Sequence, residues 1–215
     1  MNTNGDAIGF STKGTPRTVG AEAVSPDQAF HLLEAGNKRF REWYLAHKNQ
    51  LGERRTGSSQ GHHPVAQVLA CSDLYVSPEV IFDQGLGDLV ITQVLGNVID
   101  KSVRGTLEYG VGLLRIPLII VLGHRDCGAM IAELGRQEVA GQVRDVVEAI
   151  GTDVTATRSA SRDRVSDAVR ANVIHSVDLL RDCRPTLHSM LESGGIRIVG
   201  AIYDHETGIV DWLEH

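Results

Sequence analysis

Short, nearly continuous apolar runs alternate with helical patterns along most of the chain, and this alternation constrains the fold most strongly. Strands are predicted at residues 65–71, 89–95, 117–124 and 196–203, because such runs are typical of strands buried on both faces. The helices between them imply an α/β fold, with a mostly parallel central sheet and helices on both faces. A tight turn at residues 205–208 leads into a last strand at 209–213, which we expect to be antiparallel.

The N-terminal part divides into a tail and a helix. Residues 1–24 are mostly polar, with many Gly, Thr, Ser and Asn residues, and we predict a flexible tail. Ser25, Pro26 and Gln28 have the pattern of a helix start with a capping box, and apolar residues continue at a helical period to Lys48. We therefore expect an N-terminal helical arm, which belongs to a single domain formed by residues 25–215.

Composition excludes several classes of protein. Hydrophobic residues make up 42% of the 215 residues, which is enough for a sizeable core. The net charge of −6 argues against a general nucleic-acid binder, and the apolar runs are far shorter than the roughly 20 residues that cross a bilayer. Three cysteines are too few for a disulfide scaffold. We expect a cytoplasmic protein that binds neither nucleic acid nor membranes.

Four side chains that could bind a metal lie at the ends of predicted strands. Cys71 and Asp73 end the first strand, His124 ends the third, and Cys127 begins the helix that follows. The C-terminal ends of parallel strands meet at one edge of a sheet. Two thiolates and an imidazole are ligands that zinc prefers, with a fourth position for a protein ligand or for water. The alternative is a set of inert buried thiols beside a hydrogen-bonded histidine.

The motifs of this chain, taken in order, resemble those of the β-class carbonic anhydrases. They are Cys71-Ser72-Asp73, residues 79–88, 96–100 and 105–109, and His124-x-x-Cys127-Gly128-Ala129, preceded by an arm-like segment at 34–40. The resemblance covers about residues 27–204. It implies one Zn2+ per chain, held by Cys71, His124 and Cys127, and hydration of carbon dioxide by zinc-activated water. It also implies a homodimer, or a dimer of dimers, whose N-terminal helices embrace the partner.

The first motif departs from the family pattern, which reads Cys-x-Asp-x-Arg. In the family the arginine pairs with the aspartate and holds it off the zinc, whereas here Tyr75 takes that position. A tyrosine side chain offers one hydrogen bond and no fixed charge. Asp73 therefore either becomes a fourth zinc ligand, which closes the site, or is restrained by another group. Tyr75 itself and Arg125 are the candidates for that restraint.

Further departures affect the expected substrate pocket. His62 replaces a glutamine of the family, and Gln93-Val94-Leu95 replaces Arg-Asn-Ala. We expect a pocket lined by larger and less polar groups than in the family; its members are Leu74, Tyr75, Gln93, Val94, Leu95 and Gly128.

These departures favour a zinc-dependent lyase or hydrolase that acts on a small electrophile other than carbon dioxide, such as a carbon–sulfur compound or a larger organic molecule. The predicted catalytic residues are Asp73 as acid–base or orienting group, Tyr75, and His62 as a proton shuttle or general base. His62 fits equally well as a solvated loop residue. The alternatives are an ordinary carbonic anhydrase and a catalytically silent zinc-binding dimer.

Overall fold

The described residues form one five-stranded sheet with the predicted topology. The structure is a computed structural model that describes residues 24–46, 64–135, 139–154 and 164–213; His62 and the predicted tail, except Val24, lie outside these ranges. The strands stand in the order β2-β1-β3-β4-β5, with the first four parallel and β5 antiparallel to β4. Their bounds are β1 Ala66–Cys71, β2 Leu89–Val94, β3 Leu118–His124, β4 Arg197–Tyr203 and β5 Val210–Leu213.

Helices cover both faces of this sheet, as predicted. In chain order they are α1 Pro26–Arg41, α2 Pro78–Ile81, α3 Lys101–Gly112, α4 Gly128–Leu134, α5 Gln142–Val154, α6 Arg164–Arg181 and α7 Thr186–Glu192. A short 3-10 turn, Leu95–Asn97, follows β2. Among the described residues, no helix is both long and apolar enough to cross a membrane. That residues 25–215 make up a single domain stays a prediction.

The central strand β3 shows why the apolar runs predict the sheet. Every residue of β3 is buried, and alternate side chains point to opposite faces. Leu118, Ile120 and Leu122 pack on the side of α1 and α2, whereas Ile119 and Val121 pack on the side of α3, α6 and α7. Full burial of each such side chain contributes roughly 1.5–3 kcal/mol, so a continuous apolar run is stable only between two covered faces.

Helix α1 begins as predicted but ends earlier. The capping box is present, because Ser25 Oγ accepts a hydrogen bond from the Gln28 amide at 3.2 Å and the Ser25 amide donates to Gln28 Oε1 at 2.8 Å. The predicted continuation to Lys48 is wrong for residues 42–46. Trp43 has a φ of 56° and is 87% exposed. This left-handed conformation cannot continue a right-handed helix, so the apolar period beyond Arg41 is not a helix face.

Contacts from three residues fix α1 against the rest of the fold. Asn37 Nδ2 donates to the carbonyl oxygens of Ile81 at 3.1 Å and Gly208 at 2.9 Å, and Asn37 Oδ1 accepts from the Val210 amide at 3.1 Å. Arg39 Nε donates to the buried carboxylate of Asp83 at 2.6 Å. At Gly36 a Cβ atom would lie 1.8 Å from the Phe82 carbonyl oxygen, so the helix approaches this closely only because residue 36 has no side chain.

Candidate metal centre

Cys71, His124 and Cys127 converge at the C-terminal edge of the sheet. Cys71 ends β1 and His124 ends the neighbouring strand β3, while Cys127 is the N-cap residue of α4. All three are buried, and their ligand atoms lie within 4.8 Å of one another. The two sulfur atoms are 3.9 Å apart. Two thiolates bound tetrahedrally to zinc at about 2.3 Å would be about 3.8 Å apart, so the spacing fits this ion.

His124 presents one ring nitrogen toward this cluster without a hydrogen-bond partner. Its Nδ1 donates to the carbonyl oxygen of Arg125 at 2.9 Å, so that in the neutral imidazole Nε2 is the nitrogen without a proton. Nε2 is buried and has no hydrogen-bond partner in the described structure. A ligating histidine typically donates its other N–H to a backbone carbonyl in this way. The donor set therefore fits a zinc ion.

The two thiols and the imidazole shift one another's pKa values. The hydrogen bond with Cys127 lowers the pKa of Cys71 to about 4 despite burial, with help from His124 and the Gly96 amide. The same hydrogen bond, together with burial, raises the pKa of Cys127. Burial lowers the pKa of His124, but the adjacent Cys71 sulfur and its charge outweigh that effect and raise it. The contact between the two buried sulfur atoms thus favours a thiolate in the cluster, which is the form of cysteine that binds a metal.

A backbone amide also contacts the Cys71 sulfur. The Gly96 N–H donates to Cys71 Sγ over 3.3 Å, and Gly96 has a φ of 63°. A Cβ atom at this position would lie 2.4 Å from Ile150 Cδ1. The sequence places Gly96 in a family-like motif but gives it no role, since a contact between a backbone amide and a sulfur atom has no sequence signature.

Asp73 lies outside the three-residue ligand cluster. Its Oδ1 accepts a hydrogen bond from the Tyr75 amide at 3.0 Å. This contact comes from the backbone N–H of Tyr75, whose ring stacks on His205 with centroids 6.2 Å apart. Whether Asp73 becomes a fourth zinc ligand stays a prediction.

Arg125, the other candidate for restraining Asp73, pairs instead with Asp204. Its Nε lies 3.4 Å from Asp204 Oδ2. Asp204 Oδ1 also accepts hydrogen bonds from the amides of Glu206 at 2.9 Å and Thr207 at 3.3 Å. Burial raises the pKa of Asp204, but these hydrogen bonds and the nearby Arg125 hold it below its ordinary value.

Two of the expected pocket residues lie at the surface close to the cluster in sequence. Leu74 and Tyr75 are 94% and 74% exposed. Gly128 is also exposed, and a Cβ atom there would have no heavy atom within 4 Å among the described neighbours. The structure therefore has open space directly after the ligand Cys127.

The remaining pocket candidates have other contacts. Leu95 packs against the hydrophobic cluster that contains the two cysteine ligands, so it adjoins the metal centre. Val94 packs into the core on the side of α3 and α6. Gln93 Nε2 donates to the carbonyl oxygens of Cys71 at 3.3 Å and Val76 at 2.8 Å, so it anchors the loop after β1.

Comparisons with known proteins agree with this geometry. The sequence model of the carbonic anhydrase family matches residues 66–210. Carbonic anhydrase 2 of Mycobacterium tuberculosis is 36% identical over 196 residues, which cover 89% of this chain and 95% of that protein. A carbonic anhydrase of Mycolicibacterium smegmatis is 37% identical over 195 residues, with coverage of 89% and 95%.

Solved structures show the same fold. The β-carbonic anhydrase CcaA superposes with a TM-score of 0.66 at 28% identity, covering 86% of this chain and 99% of that chain. A tetrameric β-carbonic anhydrase of Sordaria macrospora gives a TM-score of 0.69 at 20% identity, with coverage of 86% and 97%. The family match spans more than half of the sequence and includes all three residues of the cluster. The chain therefore belongs to the β-carbonic anhydrase family.

Proposed function

We propose that this protein is a zinc-dependent lyase that catalyses the reversible hydration of carbon dioxide. The observation that carries the proposal is the three-ligand cluster with the buried, unpartnered Nε2 of His124, beside an aspartate that lies outside the ligand group. Three protein ligands with an open fourth position are typical of catalytic zinc sites, whereas structural sites have four. The similarity to several carbonic anhydrases supports the same activity.

We assign the metal to Cys71, His124 and Cys127, one Zn2+ per chain. Zinc at such a site lowers the pKa of a bound water toward about 7 and so supplies a nucleophile at neutral pH. The Arg125 carbonyl holds His124 in the tautomer that presents Nε2. The Tyr75 amide donates a hydrogen bond to Oδ1 of Asp73. We assign two roles to the other carboxylate oxygen: it orients the reacting groups and exchanges a proton with them.

The missing arginine is expected to lower the rate without abolishing it. An arginine can hold both oxygens of a carboxylate through two parallel N–H···O bonds and carries a fixed positive charge. The Tyr75 amide holds only one oxygen of Asp73, so this carboxylate is less firmly restrained than it would be beside an arginine. Turnover should therefore increase when residue 75 becomes arginine.

The experiment is stopped-flow hydration of carbon dioxide by protein shown to contain one zinc per chain. Tyr75→Phe is the matched control and should keep wild-type turnover, because the backbone N–H to Asp73 remains. Tyr75→Arg should be faster. Asp73→Asn should lose most of the activity while it retains zinc, since Asn still accepts from the Tyr75 amide but has no carboxylate. Absence of turnover by the zinc-loaded wild type would contradict the proposal.

A second candidate substrate is a less polar electrophile, such as a carbon–sulfur compound or a larger organic molecule. The observation that favours it is the exposure of Leu74 and Tyr75, which place apolar and aromatic surface next to Asp73. Release of sulfide from carbonyl sulfide by the same zinc-loaded protein would support this candidate. Activity on neither substrate would favour the silent zinc-binding dimer. His62 lies outside the described residues, and its role as a proton shuttle stays a prediction.

We also infer a homodimer or a dimer of dimers located in the cytoplasm. Trp43 and Tyr44 expose large aromatic side chains just after α1, and such residues are enriched in protein interfaces. One solved relative is described as tetrameric. Sedimentation equilibrium of the wild type and of a Trp43→Ser, Tyr44→Ser variant tests the assembly, because the substitutions should shift the distribution toward the monomer. A monomeric wild type would contradict it.

A further inference from the structure

We propose that Asn172 is a positioning residue of the metal centre, which holds residue 96 so that its amide donates to the ligand Cys71. The inference rests on the metal binding proposed above, but not on the identity of the substrate. Asn172 lies on α6, 76 residues after Gly96 in the chain. It is not one of the cluster residues, and it acts through Gly96.

Two consecutive hydrogen bonds connect Asn172 to the sulfur. Asn172 Nδ2 donates to the Gly96 carbonyl oxygen at 3.0 Å, and the Gly96 amide donates to Cys71 Sγ at 3.3 Å. Asn172 is only 4% exposed, so water does not compete for its side chain. The two bonds use the carbonyl and the amide of the same residue. The orientation of residue 96 therefore depends on both.

Residue 96 needs this anchor because the turn around it is not regular secondary structure. Gly96 has a positive φ within the 3-10 turn that follows β2, a conformation that glycine leaves easily. On one side the turn is confined by Ile150 and Ala129, whose side-chain atoms would lie 2.4 Å and 3.4 Å from a Cβ at position 96. Asn172 supplies the polar restraint.

A hydrogen bond to a ligand affects the metal directly. Groups that orient ligands or bond to them change metal affinity by about 10–100-fold when they are removed. If Asn172 positions the Gly96 amide, its removal should act on the Cys71 thiolate and not only on packing. The effect should therefore be visible in metal affinity and in the spectrum of the thiolate–metal bond.

The test compares Asn172→Leu and Asn172→Ala with wild type, with Ser176→Ala as the matched control. Ser176 lies one turn further along α6 and is equally buried. Zinc affinity, measured by competition with a chromophoric chelator, should fall by about 10–100-fold in both Asn172 variants and stay unchanged in Ser176→Ala. In Co2+-substituted protein the thiolate-to-cobalt band should move to lower energy in the Asn172 variants, because the sulfur regains electron density.

A purely structural role predicts a different result. The Asn172 variants would then unfold at lower urea concentration in the metal-free state, while the zinc affinity of the folded protein and the cobalt band stayed at wild-type values. That result would overturn the inference. If the wild type itself binds no zinc, the proposed function fails; if the wild type and the Asn172 variants bind zinc equally, only the positioning role fails.

A measurement on the wild type covers the case in which the variants do not fold. In protein loaded with 113Cd, a hydrogen bond between the Gly96 amide and a metal-bound sulfur should give a scalar coupling between the metal and that amide proton. Observation of the coupling supports the hydrogen bond between the Gly96 amide and Cys71 Sγ, on which the inference depends. Its absence in a cadmium-loaded wild type would overturn the inference.

Discussion

Gly96 offers a quantitative test of how tightly the turn beside the metal centre is packed. Gly96→Ala would introduce a Cβ atom at a φ of 63° and 2.4 Å from Ile150 Cδ1. An L-residue in the left-handed region costs roughly 1–2 kcal/mol. Carbon atoms normally approach to about 3.5–4.0 Å, and an overpacked core loses about 1–3 kcal/mol. The metal-free variant should therefore lose about 2–5 kcal/mol of unfolding free energy.

A double-mutant cycle separates the two contributions. Ile150→Val removes the clashing Cδ1 atom and should cost about 0.5–1.5 kcal/mol by itself. In the double variant the steric part disappears and the backbone part remains, so its loss should be smaller than the sum of the single losses by about 1–3 kcal/mol.

The measurement is urea unfolding of the metal-free single and double variants, with m-values compared to confirm a common transition. Single losses that add to within about 0.5 kcal/mol in the double variant would refute the reasoning, since they would show that the turn relaxes away from Ile150. If adding Ile150→Val fully restores the unfolding free energy that Gly96→Ala loses, the proposed backbone contribution is refuted as well.

Three further predictions concern stability. Asp126 has a φ of 53° between His124 and Cys127, so Asp126→Gly should be tolerated, whereas Asp126→Val should unfold at a lower urea concentration and cost roughly 1–2 kcal/mol more. Arg39→Met should lower the free energy of unfolding, measured by thermal unfolding, by about 1.5–3 kcal/mol, because it removes a charged hydrogen bond from the buried Asp83. Adding Asp83→Asn to this variant should recover part of the loss. If nothing is recovered, the packing of the Arg39 side chain is the larger contribution. Because the folded pKa of Asp204 is depressed, its contribution to stability is present above the unfolded pKa of about 4 and is lost as pH falls through the folded value. Below about pH 4, the free energy of unfolding should therefore fall less steeply with decreasing pH in Asp204→Asn than in the wild type. Identical pH dependences of the two proteins would contradict the lowered pKa of Asp204.

The strands and the cluster of candidate metal ligands are predictable because each has a signature within a short segment. An apolar run such as Leu118–His124 identifies a strand buried on both faces, and His124-x-x-Cys127 brings two ligands together across a single turn. The end of α1 is different. The apolar period continues past Arg41, and only the left-handed backbone of Trp43 ends the helix, which the residue types do not reveal.

The restraint on Asp73 could not be predicted from side chains. Sequence reasoning compares the arginine of the family with Tyr75 and looks for another side chain, but the donor is the backbone N–H of Tyr75. Every residue except proline carries that group. Similarly, the contact between Asn172 and Gly96 joins distant segments, and one sequence without its relatives contains no signal that pairs them.

The three hydrogen bonds of Asn37 have a consequence for the order in which the chain folds. Helix α1 is synthesised first, yet its partners at Gly208 and Val210 lie 171 and 173 residues further along the chain. Domains fold during synthesis from the N-terminal side where their contacts are local, but contacts of such long sequence separation form late. The hydrogen bonds of Asn37 to Gly208 and Val210 therefore form only after the last strand leaves the ribosome, whereas the apolar face of α1 packs on β3 and α2, which are synthesised earlier. A nascent chain that stops before residue 208 can pack α1 on β3 and α2 but lacks two of the three hydrogen bonds of Asn37.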